Sequence, residues 1–321
     1  KPVGYLILVW GVITMVIGVS MALLQHDFKR LLAFHSVSQI GYIITALGIA
    51  IVETGELSVL AMTGGTYHMI NHAIFKGLLF LTAGAILYTT GTTDLESVSG
   101  LGKRMPFTMA MFLFGAAGIS GIPPFNGFAS KWMIYEAGFT GSLGIVSIIA
   151  VVVSALTLAS FIKVGHSVFF GPIKKEHKNI EDVPTSMKIP MGVLALGIVI
   201  FGLFPKVIVN KILIPVIKSV YDLTGYVSSA LGNTYDSLFV FDGINNIEFL
   251  TKGIYNPTNF LILFVILLLA ILVFVIFKGN NLGEEIHEKS DNEFDMSIFK
   301  KYEKHRGNSV NYSEAPLDEA C

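Results

Sequence analysis

The chain has 321 residues, 53% of them hydrophobic and 14% charged, with a mean hydropathy of +0.67 and a formal net charge of -1. This composition excludes a soluble globular domain and identifies an integral membrane protein. The single cysteine, Cys321, excludes an internal disulfide and the four-thiolate set of an iron–sulfur cluster, and nothing in the charge balance suggests a nucleic-acid partner.

A hydrocarbon core of ~30 Å needs about 20 mostly apolar residues per helix. Runs of that kind predict seven spans, at about 3–25, 31–53, 58–90, 105–138, 142–170, 189–210 and 257–278. The expected fold is therefore an all-α polytopic membrane bundle. It divides into a transmembrane core at 1–210, an interfacial or external segment at 211–256, an additional transmembrane helix at 257–278 and a charged tail at 279–321. The chain opens on Lys1 with apolar sequence following at once and no signal-peptide pattern, so it reads as cut from something longer.

QHDFKRLLAFHSVSQIGY at 25–42 joins the first two spans. His35 with Ser36, Ser38 and Gln39 forms a polar patch just inside the second span. Such a patch either glues helices together or lines a half-channel.

The third span contains YHMINHAIFK at 67–76. His68, His72 and Lys76 recur every four residues, which brings all three within an arc of roughly 80° on one helical face. Each ionisable residue costs about 2.5 to 3.5 kcal/mol inside a bilayer, so three on one stripe point to a hydrated path. Buried structural histidines and a metal site at the His-x3-His spacing are the other readings. Lys76 would repel a cation, and no carboxylate or cysteine lies nearby in sequence. A proton relay fits the residue types better, because histidine exchanges protons near neutrality.

The fourth span is interrupted by Gly115, Gly118, Gly121, Pro123, Pro124 and Gly127. Adjacent prolines remove two backbone donors, so the helix is expected to unwind there. Unwound backbone at membrane depth is tolerated where protein or a wet cavity satisfies it, and ion pathways of many transporters are built that way. Lys131 follows the break with apolar sequence on both sides, and Glu136 lies five residues later as an exit group or an interfacial one. Near the end of the fifth span, Lys163 and His166 are expected to snorkel to the headgroups. PKVIVNKILIPVIKSVYDL, from 205 onward, reads as an amphipathic interfacial helix.

Basic residues concentrate in alternate loops: Lys29 and Arg30, then Lys103 and Arg104, then Lys174, Lys175, Lys178 and Lys188. The loops around Glu53–Glu56 and Gly138–Ser142 carry no lysine or arginine. The positive-inside rule makes the basic side cytoplasmic.

Three stretches together, QHDFKRLLAFHSVSQIGYIITALG, GGTYHMINHAIFKGLLFLTAG and GISGIPPFNGFASKWMI, resemble one family. They are similar to the second half of the antiporter-like membrane subunits shared by respiratory complex I, group 4 energy-converting hydrogenases and Mrp-type sodium/proton antiporters. The resemblance covers roughly residues 1–205. It implies the second of two inverted repeats, each with a discontinuous helix, and a relay through His68, His72, Lys76 and Lys131. His35 and Glu136 are accessory candidates. The first repeat would lie before Lys1.

The residues and the resemblance together predict a proton- or sodium/proton-translocating subunit in the cell membrane, with no cofactor, metal or catalytic residue of its own. Its partners would be other membrane subunits, homologous antiporter-like ones among them, and a peripheral redox module. An Mrp-type antiporter subunit is the alternative within transport, and a redox subunit binding quinone or metal at the histidine pair is the alternative outside it.

Overall fold

The computed structural model describes residues 1–221 and, beyond them, 249–252, 254, 265, 268, 271 and 272. Most of the expected helix at 257–278, most of the 211–256 segment and all of the tail at 279–321 lie outside the described residues.

Among the described residues the secondary structure is helical. Five helices are long and apolar enough to cross a membrane: α1 Pro2–Leu23, α2 Phe28–Val52, α3 Gly55–Thr90, α6 Gly144–Phe169 and α7 Thr185–Leu203. Between α3 and α6 the fourth span is two helices, α4 Pro106–Ser120 and α5 Asn126–Thr140, separated by the expected break. The sixth span is shorter than its apolar run, because α7 ends at Leu203 and Pro205 starts the next piece. That piece runs through α8 Pro205–Ile208, a π-helical turn at Val209–Leu213 and α9 Ile214–Tyr221. It is amphipathic: Ile208, Val209, Leu213, Ile214 and Ile217 are buried while Lys206, Lys211 and Lys218 are exposed. A four-residue helix, α10 Phe249–Lys252, follows.

Sequence explains most of the boundaries. Asp27 caps α2, its carboxylate accepting from the Arg30 amide at 2.8 Å. Asp182 caps α4 from a distant loop, accepting from the Phe107 amide at 2.9 Å and the Thr108 hydroxyl at 2.7 Å. Gly91 ends α3 and Gly121 ends α4, both with positive φ, the conformation that favours glycine. At 36 residues, α3 is about 54 Å long, well beyond the ~30 Å of a bilayer core.

The closest helix pair is α1 with α2. Gly11 and Gly18 on α1 and Gly41 and Gly48 on α2 share a seven-residue spacing, and each faces the partner's backbone. A Cβ at Gly18 would lie 2.5 Å from the Ser38 nitrogen, and one at Gly41 would lie 2.5 Å from the Met15 nitrogen. Small residues at this spacing let two membrane helices approach without a side-chain layer between them. The opposite face of α1 exposes Leu6, Trp10, Ile13 and Ile17.

The connections gather at two ends. At one, the Phe28 amide donates to the Thr93 carbonyl at 2.9 Å, His26 lies 3.1 Å from Glu96, and Lys174 reaches the Glu96 carbonyl at 2.5 Å. At the other, Glu53 accepts from the Ser142 amide and hydroxyl, both at 2.8 Å, and Ser58 meets the Tyr221 hydroxyl at 2.7 Å. The basic loops therefore share one end of the bundle.

Candidate ion pathway

The break is built from missing donors. In a continuous helix the carbonyls of Ile119 and Ser120 would accept from residues 123 and 124, both prolines without an N–H. The chain turns at Gly121, whose amide bonds back to Gly118 at 3.1 Å, and restarts at Asn126. The Ile119 carbonyl accepts instead from Lys131 Nζ at 2.8 Å. A side-chain ammonium thus replaces the amide that Pro123 lacks.

Neighbouring helices enclose the break. Asn71 on α3 donates to the Asn126 carbonyl at 2.9 Å, and Asn126 returns a bond to Asn71 Oδ1 at 3.2 Å. Gly127 sits so close to the Gly118 carbonyl that no Cβ fits between them, and Gly202 of α7 packs equally tightly on the Pro124–Asn126 backbone. The irregular backbone is therefore covered by protein, as its depth requires.

Lys131 is 1% exposed. Besides Ile119 it donates to Ser154 Oγ on α6 at 2.9 Å, and its Nζ lies 4.6 Å from the centre of the Tyr42 ring. Ser154 is a hub. Its hydroxyl also meets Tyr135 at 2.7 Å and Tyr42 at 3.1 Å, and Tyr42 donates to the Ala150 carbonyl at 2.5 Å. No carboxylate neutralises Lys131 in this contact set; carbonyl, hydroxyl and aromatic face share its charge.

His68 is fully buried and bridges two helices. Its Nδ1 lies 3.0 Å from Ser130 Oγ, on the residue before Lys131, and its Nε2 lies 3.1 Å from Gln39 Oε1 on α2. Its ring is 5.6 Å from that of Tyr42, so His68 and Lys131 both lie against the same tyrosine. Lys76, two turns further along α3 and 5% exposed, donates to the Leu32 carbonyl and lies 5.6 Å from the Phe80 ring. His72, between them, has a buried Nε2 without a hydrogen-bond partner and packs on Phe75.

On α2, Leu32, His35 and Gln39 present successive turns of one face toward these groups. His35 is fully buried, with Nε2 2.7 Å from Ser160 on α6 and Nδ1 unpartnered. Glu136 stays apart: it accepts from the Trp132 indole at 3.0 Å on its own helix. Among the described residues no three His, Cys, Asp or Glu side chains group to hold a metal.

The ionisable groups stand out in the sequence; their hydroxyl and amide partners, Tyr42, Asn71, Asn126, Ser130, Tyr135 and Ser154, do not. One signal was available for α6. Ser147, Ser154, Thr157 and Ser160 recur at helical spacings in an otherwise apolar run, and all four are buried.

A membrane bundle with a proline-broken helix and a buried lysine filling the broken turn defines an antiporter-like membrane subunit. Residues 2–157 match the model of the family described as NADH:quinone oxidoreductase/Mrp antiporter, transmembrane. It is 37% identical over 225 residues to Hydrogenase-4 component B of Escherichia coli (strain K12), covering 65% of this chain and 34% of that one. Among solved structures it resembles a chain of the Mrp complex from Dietzia sp. DQ12-45-1b, with a TM-score of 0.64, 26% identity, and coverage of 71% of this chain and 49% of that one. It also resembles a chain of the membrane-bound sulfane sulfur reductase, an archaeal respiratory membrane complex. There the TM-score is 0.60 at 28% identity, over 97% of this chain and 53% of the other. The chain thus spans between a third and about half of these relatives.

Proposed function

We propose that this chain is part of an ion-translocating subunit that moves protons, or exchanges them for sodium. In this reading it works beside other membrane subunits, homologous antiporter-like ones included, and a peripheral redox module whose electron transfer drives it. The chain itself transfers no electrons. The observation that carries the reading is Lys131, an ammonium inside the bundle that substitutes for the amide removed by Pro123.

The chemistry follows from its partners. While charged, Lys131 donates to Ile119 and Ser154. Once it gives up a proton, the amine can accept, and the Ser154 hydroxyl can turn to donate to it. These two arrangements are the two ends of a proton transfer. Against the same Tyr42 ring, His68 donates Nε2–H to Gln39 Oε1 and turns Nδ1 to the Ser130 hydroxyl, so the imidazole is held in place by Gln39 and can exchange a proton at Nδ1. His72 and Lys76 extend this series along α3.

Mrp-type exchange is the second reading, favoured by the structural likeness to the Mrp complex. The two differ in whether electron transfer in a redox partner drives the flux.

Lys131→Arg tests the proposal. Arginine keeps the charge and the donors but does not release its proton in practice. The variant should accumulate normally while proton or sodium flux in native membrane vesicles falls by at least roughly tenfold. Wild-type flux would mean that this lysine does not cycle its proton, and the assignment would fall.

A further inference from the structure

The relay residues on α3 and α5 lie deep in the bundle, and protons must reach them from one end. Two groups outside the relay, Lys163 and Ser160, lead to it through His35. α6 returns to the basic-loop end, and there Lys163 donates to the carbonyls of Leu23 and Gln25, both at 2.9 Å, where α1 gives way to the loop before α2. One turn deeper on the same helix is Ser160, bound to His35 Nε2 at 2.7 Å. One turn deeper on α2 is Gln39, which holds His68.

Two of the atoms along this line are buried and unpartnered, His35 Nδ1 and Gln39 Nε2. They occupy successive turns of one face of α2, about 6 Å apart in helix rise. Buried polar atoms without partners are uncommon because each forfeits its solvation, so a pair at this spacing marks a place where a polar guest is needed. If His35 only glued α2 to α6, one nitrogen would serve and the other would find a partner or face an apolar wall.

We infer that Lys163, Ser160 and His35 form the portal through which protons pass between the basic-loop end and the relay. The inference rests on the proposed function. A proton taken up at Lys163 moves to the Ser160 hydroxyl oxygen, and the hydroxyl's own proton passes to His35 Nε2. The proton on Nδ1 then leaves toward His68, so the ring changes tautomer with no net gain of charge. Lys163 and Ser160 are one turn apart on α6, as His35 and Gln39 are on α2, and bridging waters complete the line between them. Gln39 carries no proton; it is a positioning residue that holds the accepting imidazole of His68.

The competing role for Lys163 is a staple that caps the end of α1, and for Ser160 a helix contact. Flux in native membrane vesicles separates them, with abundance of the assembled protein as the control. Ser160→Ala should lower flux by at least roughly tenfold, whereas Ser160→Thr, which keeps the hydroxyl, should remain within about a factor of two of wild type. Lys163→Arg keeps both carbonyl bonds and hence the staple, yet should lower flux like Ser160→Ala. Wild-type flux in Ser160→Ala and Lys163→Arg, with Lys131→Arg still impaired, would overturn the portal and leave the relay standing. Wild-type flux in all three would remove both. If Lys163→Arg fails to accumulate, the Ser160 pair decides alone.

Discussion

Lys131 is stable in the bundle interior because its surroundings were shaped by what the chain lacks. The two prolines leave a carbonyl that needs a donor, and a lysine eight residues later than Pro123 is close enough in space to supply it. Ser154 completes the shell, and its three contacts make it the residue whose loss should matter most for its size. We expect Ser154→Ala to cost about 1–3 kcal/mol in stability, since it removes an acceptor from a buried charge. Its effect on flux should exceed that of Tyr135→Phe, which deletes one bond to the hub and leaves Lys131 its own partners. Thermal unfolding in detergent and flux in vesicles measure the two quantities. Equal flux in both variants would show that the hub does not exchange protons with Lys131.

At the scale of elements, the break and the α1–α2 contact use glycine for different ends. Between α1 and α2 glycine brings two backbones together; at the break it lets α4 stop and α5 begin almost on top of it. Replacing Pro123 and Pro124 by alanine returns two amides, which favours a continuous helix and gives the Ile119 carbonyl a backbone donor. Lys131 would then lose its site although every titratable group remains. Hydrogen exchange should show new protection across residues 119–126, and flux should fall with it. Protection gained with flux unchanged would mean that the break is not needed for translocation.

For the whole molecule, the connections that carry most of the lysine and arginine gather at one end of the bundle. The loops with Lys29, Arg30, Lys103, Arg104, Lys174 and Lys175 meet at one end, bound to each other through Asp27, Glu96 and Asp182. The other end carries Glu53 with Ser142 and the lysine-bearing α8–α9 segment. We assign the basic end to the cytoplasm and α8–α9 to the outer interface. Single cysteines at Lys178 and Ser142, with Cys321 replaced, should label from opposite sides of the membrane with an impermeant reagent. Labelling of both from the same side would reject this arrangement.

The sequence by itself determined the membrane class, the spans within the described residues, the break and the family resemblance. Each follows from a local property: twenty apolar residues cross a bilayer, two prolines cannot continue a helix, and three long motifs carry a resemblance. It also singled out the ionisable groups, because a charge in an apolar run is visible without knowing its neighbours. What each group touches was not local. Lys131 meets Ser154, His68 meets Gln39, His35 meets Ser160 and Lys76 meets Leu32, partners separated in sequence by 23, 29, 125 and 44 residues. Those pairings depend on helix rotation and on how closely α1, α2 and α6 approach. Packing sets both, and the packing energy is spread over many contacts that no single stretch of sequence displays. Only the tertiary structure decided that His68 and Lys131 both lie against Tyr42, and that Lys163 closes the end of α1.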